Sequence, residues 1–294
     1  MVIHPLAVAI AATLVLGVAK LAVALFTGSH AVMASAADSL GDAIVSGVNL
    51  LMVRQAAEPP DEGHPWGHGK AEALASLAQA AVLAIVVGAI AVNAVGTLLG
   101  GGGPVPRVGP TLGVMAFSML GSLSISAYLS RAARRTGSLV IKADAVHYRM
   151  DLWSGAAVVL GLVASQILGN AMGDAGASLL VSAIMVKDVY GVGREAIDEL
   201  MDRPLPPEET ARIEAALREM GLPLLSWHDL RTRRSGPHRF VQVHVVLPAD
   251  IPFAEAHAAA DAVEARLRGA LPNLDVIVHA DPEGVEEGDH TPAR

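Results

Sequence analysis

Cysteine is absent from the 294 residues. That excludes disulfides, thiolate metal sites and cysteine nucleophiles, so any transition-metal chemistry must use histidine and carboxylate. Charge is scarce as well. Asp, Glu, Lys and Arg make up 17% of the chain, against about a quarter of a soluble domain, and they crowd into its last third. Aromatics make up 3%, too few to build strong belts at a membrane interface. The formal net charge is −8, and no basic stripe with interleaved aromatics is present, so nucleic acid is not an expected partner. There is no HExxH, which argues against a membrane metalloprotease. The N-terminal run lacks a basic n-region and is longer than an ordinary h-region, so it reads as a membrane span rather than a cleaved signal.

What the chain has in quantity is apolar sequence: 52% of residues are hydrophobic and the mean hydropathy is +0.46. A membrane helix needs about 20 mostly apolar residues. Six stretches qualify, at about 5–27, 31–53, 70–99, 110–131, 138–168 and 174–195, separated by turn-rich TGSH, GGGGPVPRVGP and LGNAMGD. Basic residues flank the even-numbered loops (Arg54 and Lys70; Arg131, Arg134 and Arg135) and follow the sixth span (Arg194, Arg203). Both termini are therefore expected in the cytoplasm of a multi-pass protein of the inner, cytoplasmic membrane. Lys20 lies inside the first span and must snorkel or face the bundle interior.

From about residue 204 the pattern is that of a small soluble domain. PPEETARIEAALREMG and PFAEAHAAADAVEARLRGALP read as helices, and WHDLRTRRSG, HRFVQVHVVLP and DVIVHADP as strands. The order αββαβ gives a two-layer α+β domain over 204–283, after a six-helix α-helical membrane domain over 1–203. The polar tail, 284–294, is expected to be disordered.

The second span carries ADSLGDA, with Asp38 and Asp42 one helical turn apart and on one face. Each ionised acid near the bilayer centre costs roughly 2.5 to 3.5 kcal/mol, and something must offset that cost. The fifth span carries KADAVHYRMDLWSG, in which His147 and Asp151 are likewise four apart. Counted from the ends of oppositely directed spans at 1.5 Å per residue, the four groups lie roughly 10 to 20 Å deep, in one band near the midplane. Three carboxylates and an imidazole around one point suit a borderline divalent cation such as Zn²⁺. Two like-charged acids held together in a low dielectric repel, and either protons or a dication relieves the repulsion, so metal and protons compete for these residues. His147, with an unperturbed pKa near 6.5, is the expected proton carrier. Asp144 and Lys142, nearer the cytoplasmic end, suit an entrance-lining or structural role.

Two further groups stand out. In EPPDEGHPWGHGKAE, Asp61, His64 and His68 have i, i+3, i+7 spacing in a Gly/Pro-rich loop able to fold around a metal. In the soluble part, His228, His244, His257 and His279 fall on different elements, with Asp281 two residues after His279 and on the same strand face. His257 sits on a helix expected to pack on that sheet. His4, His30, His238 and His290 read as surface residues.

The pairing of DSLGD with HYRMD, six spans and an αββαβ tail resembles the cation diffusion facilitator family, and within it the bacterial zinc/iron-efflux, proton-antiporting branch. The resemblance spans nearly the whole chain. It implies that Asp38, Asp42, His147 and Asp151 form the transport site of a homodimeric Zn²⁺/H⁺ exchanger in membrane lipid. It also implies that Asp61, His64 and His68 hold a second cytoplasmic cation. By the same resemblance His228, His244, His257, His279 and Asp281 form a binuclear zinc site at a dimer interface, with the Asp bridging. Lys70 is implied to form a salt bridge with Asp202. Other expectations are a membrane metal sensor that binds without transporting, and the same transporter class with Fe²⁺, Cd²⁺ or Mn²⁺ as the ion.

Overall fold

The computed structural model describes residues 3–27, 30–101, 111–221 and 223–284. Six long helices come first: α1 Ile3–Thr27, α2 His30–Ala56, α3 Ala71–Leu99, α4 Thr111–Thr136, α5 Leu139–Leu168 and α6 Met172–Leu200. Their lengths of 25 to 30 residues correspond to roughly 37 to 45 Å, enough to cross a hydrocarbon core of about 30 Å and project beyond it. Several overrun the apolar stretch at their polar ends. α4, for instance, continues through Arg131, Arg134 and Arg135 to Thr136. Among the described residues, five of the six carry an apolar stretch long enough to span a membrane. α4 is the less apolar one, because serines 118, 122, 124, 126 and 130 interrupt it. The expected tail from residue 285 onward lies outside the described residues.

The polarity of these helices is reversed relative to a soluble bundle. Val15, Phe26, Ile85, Val92, Leu160 and Ile167 are exposed, while Ser46, Asn49, Glu72, Gln79, Asp144 and Ser165 are buried. Lipid solvates the first set; the second must find partners inside, because hydrocarbon supplies none. One interior cluster joins α3, α5 and α6 through Leu83, Val87, Met150, Met185 and Val189. A second joins α1, α2, α4 and α5 through Leu6, Val53, Leu129, Ile141 and Tyr148. α5 contributes to both and is the central helix.

Local chemistry sets the ends of α5. The Ser138 hydroxyl caps its first turn, accepting from the Ile141 amide at 3.4 Å and donating to Glu72 Oε2 at 2.5 Å. Gly169, at φ 71°, closes the last turn in the left-handed conformation and donates its N–H to the Ser165 carbonyl at 2.9 Å. α6 then starts so close to α5 that a Cβ at Gly173 would collide with the backbone of Ala164 and Ser165. Two ion pairs continue the α5–α6 seam, Arg149 with Asp188 at 2.8 Å and Lys142 with Glu195 at 2.5 Å.

The chain parts into two compact units between Ile197 and Asp198. The second contains α7 Pro207–Arg218, β1 Ser226–Ser235, β2 His238–Leu247, α8 Phe253–Arg268 and β3 Leu274–Pro282. The sheet order is β1-β2-β3, antiparallel between the first two strands and parallel between the last two. Alternation along β2 sends Val241, Val243, Val245 and Leu247 to a buried face. There Ile213 and Leu217 of α7 and Val263 and Leu267 of α8 complete the core. Gln242, His244 and Val246 point to the opposite, helix-free face.

Arg239 of β2 holds Glu209 of α7 through two bonds of 2.7 Å, a bidentate pair that fixes helix to sheet. The hydrogen bonds from Arg239 keep the Glu209 carboxyl below its ordinary value of 4.5. A depressed carboxylate contributes stability above its unfolded pKa and loses it as pH falls through the folded one. Glu209→Gln is therefore expected to cost this unit about 1 kcal/mol at neutral pH, a figure already reduced for solvent screening. The cost should shrink as the pH falls below the ordinary value of 4.5 and vanish once it passes the depressed folded one, as read by amide exchange of α7 and β2. Equal exchange in both proteins at neutral pH would show that the pair contributes nothing.

Candidate metal centres

The first centre is built on α2 and α5. Asp42 Oδ1 lies 2.9 Å from His147 Nε2, and donor atoms of Asp42, His147 and Asp151 all lie within 4.8 Å of one another. All three side chains are half-buried. The helices cross in opposite directions here: Asp42 meets His147, Ser46 meets Tyr148 and Asp144, and Asn49 meets Asp144, so numbers rise on one helix as they fall on the other. Oxygen and imidazole nitrogen donors converging at this spacing suit a borderline divalent ion.

Three of the four expected residues thus come together, and Asp38 does not. It lies one turn along α2, exposed and outside the cluster. Four residues on a helix rotate 400°, so an i, i+4 pair shares a face but is staggered by about 6 Å along the axis. α5 meets Asp42's level rather than that of Asp38. Asp38 remains near enough for its charge to act on Asp151 and on Lys20.

Beneath this cluster runs a polar network that sequence reasoning missed. Asp144 is fully buried and accepts hydrogen bonds from Ser46 Oγ at 3.0 and 3.1 Å and from Asn49 Nδ2 at 3.1 Å. The Tyr148 phenol lies 3.0 Å from the Ser46 hydroxyl and 2.8 Å from that of Thr13. Asn49 also donates to Gln79 Oε1 at 3.1 Å. Four helices are tied together below the ligands, which orients α2 and α5. The signal was legible: Asp42, Ser46 and Asn49 continue one helical face at spacings of four and three. Asp144 is thereby structural, and Lys142 is paired with Glu195 rather than placed at the ligands.

The second centre is the loop between α2 and α3. Asp61 Oδ1 accepts the His64 backbone N–H at 2.6 Å, and Asp61 Oδ2 lies 3.3 Å from His68 Nε2. The His64 and His68 rings are 4.5 Å apart, and one donor atom from each of the three residues lies within 4.8 Å of the others. Gly67 makes the turn at φ 79°, its N–H bonded to the His64 carbonyl at 2.9 Å. The backbone hydrogen bond from His64 holds the Asp61 carboxyl below its usual range, keeping it anionic. His68 Nδ1 is buried without a hydrogen-bond partner, the condition of a nitrogen that a metal would satisfy.

The third centre lies on the helix-free face of the sheet. Strand register puts His228 opposite His244 and His244 opposite His279, a row of imidazoles across all three strands. Asp281 sits among them. Its Oδ2 is 3.0 Å from His244 Nδ1 and 3.4 Å from His228 Nε2, while Oδ1 is 3.1 Å from His279 Nε2. The buried His228 Nδ1 makes no hydrogen bond. Asp229, which sequence reasoning passed over, comes within 4.0 Å of His244. It stands at φ 46° in the irregularity between His228 and Arg231, a bulge that aims a side chain without a clear sequence mark. His257 stands apart from these residues within one chain. Its helix packs on the opposite face of the sheet, so the ring lies exposed, 3.6 Å from Asp261 and stacked on Phe253. A single chain does not bring it to the other four.

Asp202, expected to pair with Lys70, lies 3.3 Å from Arg233 in its own unit, while Lys70 precedes the first turn of α3. His4 and His238 are exposed, as expected; the His30 side chain and His290 lie outside the described set.

Two family models cover the chain. Residues 6–201 match the cation efflux transmembrane domain and residues 205–283 the cytoplasmic domain of cation efflux proteins. A cation-efflux pump FieF of Shigella boydii is 35% identical over 265 residues, 87% of this chain and 85% of its own length. The protein of that name from Shewanella oneidensis is 35% identical over 284 residues, 94% of this chain and 93% of its own.

Proposed function

The chain belongs to the cation efflux family, and we propose that it exports Zn²⁺ in exchange for protons by alternating access. The observation that carries this reading is the convergence of Asp42, His147 and Asp151 inside a membrane domain, with Asp38 one turn away on the same helix. Facing the cytoplasm, the carboxylates and the imidazole take a divalent ion. Facing outward, they give it up as protons replace it, since ligands must be deprotonated to hold metal. His147 brings a nitrogen donor that favours Zn²⁺, Cd²⁺ or Fe²⁺ over Mn²⁺. The working unit is a homodimer in the inner membrane, with a transport domain over 1–203, a cytoplasmic domain over 204–283, and both termini cytoplasmic. Lys70 and Asp202, the latter just before that boundary, are assigned to a salt bridge by family resemblance.

The other two centres are cytoplasmic and regulatory. Asp61, His64 and His68 would hold one ion. His228, His244, His279 and Asp281 would hold a pair, because the two Asp281 oxygens address different imidazoles. The exposure of His257 suits a ligand that finds its site only when two copies meet. A bound ion there offsets the repulsion between facing domains and favours the paired state, coupling cytoplasmic zinc to activity.

Reconstitution tests the reading. Proteoliposomes with an imposed proton gradient are expected to accumulate Zn²⁺ while protons move the other way, followed with zinc- and pH-sensitive dyes. Tight zinc binding with no flux of Zn²⁺, Cd²⁺ or Fe²⁺ would instead mark the protein as a sensor.

A further inference from the structure

A lysine is buried beside the transport site, and the exchange chemistry above does not use it. Lys20 lies on α1 and is 6% exposed. Its ammonium donates to Ser39 Oγ at 2.7 Å and reaches the Ser35 carbonyl at 3.5 Å. Ser39 adjoins Asp38 and lies three residues before Asp42, less than one helical turn. The contacts clamp the ammonium against α2 beside Asp38 and within one helical turn of Asp42. Both direct partners are uncharged, so the positive charge is held near the acids of α2 without being consumed by a close ion pair. Among the described residues it forms no ion pair, whereas Lys142 and Arg149 are each bound to an acid.

Resting on the reading of Asp42, His147 and Asp151 as the transport site, we propose that Lys20 is a tethered cation that opposes the transported dication and sets how readily the site releases it. With the site empty, the ammonium partly compensates the acids. When a dication enters, a positive charge already stands in a low-dielectric interior, and the two repel. Binding is weakened, and a transporter benefits because an ion held too tightly does not leave. Ser39 and the Ser35 carbonyl hold the charge beside the site rather than in it, so it tunes affinity without occupying a coordination position.

The test is zinc titration of the full-length protein, purified in detergent, with Asp42→Ala used to identify the isotherm belonging to the transport site. Lys20→Met and Lys20→Gln remove the charge, the second retaining a donor for Ser39; Lys20→Arg keeps it. Both uncharged variants are expected to bind Zn²⁺ at the Asp42-dependent site about tenfold tighter or more, with slower release into vesicles, and Lys20→Arg to stay near wild type. Unchanged affinity in a folded Lys20→Gln would overturn the proposal. So would loss of binding in Lys20→Met and Lys20→Gln together with lowered thermal stability, which would make Lys20 a packing residue. If Asp42→Ala itself leaves every isotherm intact, the assignment of the transport site falls, and the proposal with it.

Discussion

Asp42→Ala is expected to reduce gradient-driven Zn²⁺ uptake to the leak of empty vesicles, and His147→Asp to preserve transport while changing its ion. Asp42 is the α2 member of the cluster, 2.9 Å from His147. Without it α5 alone supplies His147 and Asp151, and two donors from one helix cannot replace the hydration shell of a dication. A fall of about 100-fold or more in uptake is the expected scale for losing a ligand outright. His147→Asp converts a mixed oxygen–nitrogen set into an all-oxygen one. Imidazole suits Zn²⁺, whereas carboxylate suits Mn²⁺ and Mg²⁺, so the Zn²⁺/Mn²⁺ preference should shift toward manganese by about 100-fold on the same grounds. Competition between the two ions in the vesicle assay measures it. Wild-type uptake in Asp42→Ala would make the intramembrane acids structural, and an unchanged ion ratio in His147→Asp would remove the imidazole from the site.

Zinc is expected to protect the three strands of the cytoplasmic unit from amide exchange, and Asp281→Ala to abolish that protection. The physical basis is mass action: an ion bound only by the folded state at a thousand times its Kd stabilises it by about 4.1 kcal/mol. Asp281 is the residue to remove because its two oxygens reach His228, His244 and His279, so its loss opens both halves of the site. His257→Ala is expected to behave differently. Its ring lies on the other layer, and its removal should lower the number of zinc ions bound per chain while leaving strand protection in place. Full zinc protection in Asp281→Ala would show that Asp281 is not a required ligand, and unchanged stoichiometry in His257→Ala would exclude that residue as one.

Much of the architecture could be read directly because two strong periodicities write it. Runs of about 20 apolar residues leave a backbone no choice but a helix in lipid, and the alternation of FVQVHVVL places His244 opposite the buried valines. Spacing alone put Asp38, Asp42, His147 and Asp151 in one band of depth, of which the structure brings the last three together. It also picked out the Asp61–His64–His68 loop, where proximity in sequence becomes proximity in space through two tight turns.

Tertiary structure decided the rest. A helical repeat states that Asp38 and Asp42 share a face, but the height at which α5 crosses that face determines that only Asp42 joins the cluster. Strand alternation predicts the face that His244 occupies; the layer to which α8 packs, and hence the separation of His257 from the other ligands, follows from which side buries the valines. The partners of Asp144 and Lys20 could not be deduced from composition, since a buried charge takes whatever the crossing helices offer: Ser46 and Asn49 for one, Ser39 for the other. Sequence by itself determined which residues carry charge into the apolar spans and how far along each span they stand. Only the packing of α1, α2 and α5 decided which of those charges face one another, because inter-helix distance is a property of the crossing geometry and not of either helix alone.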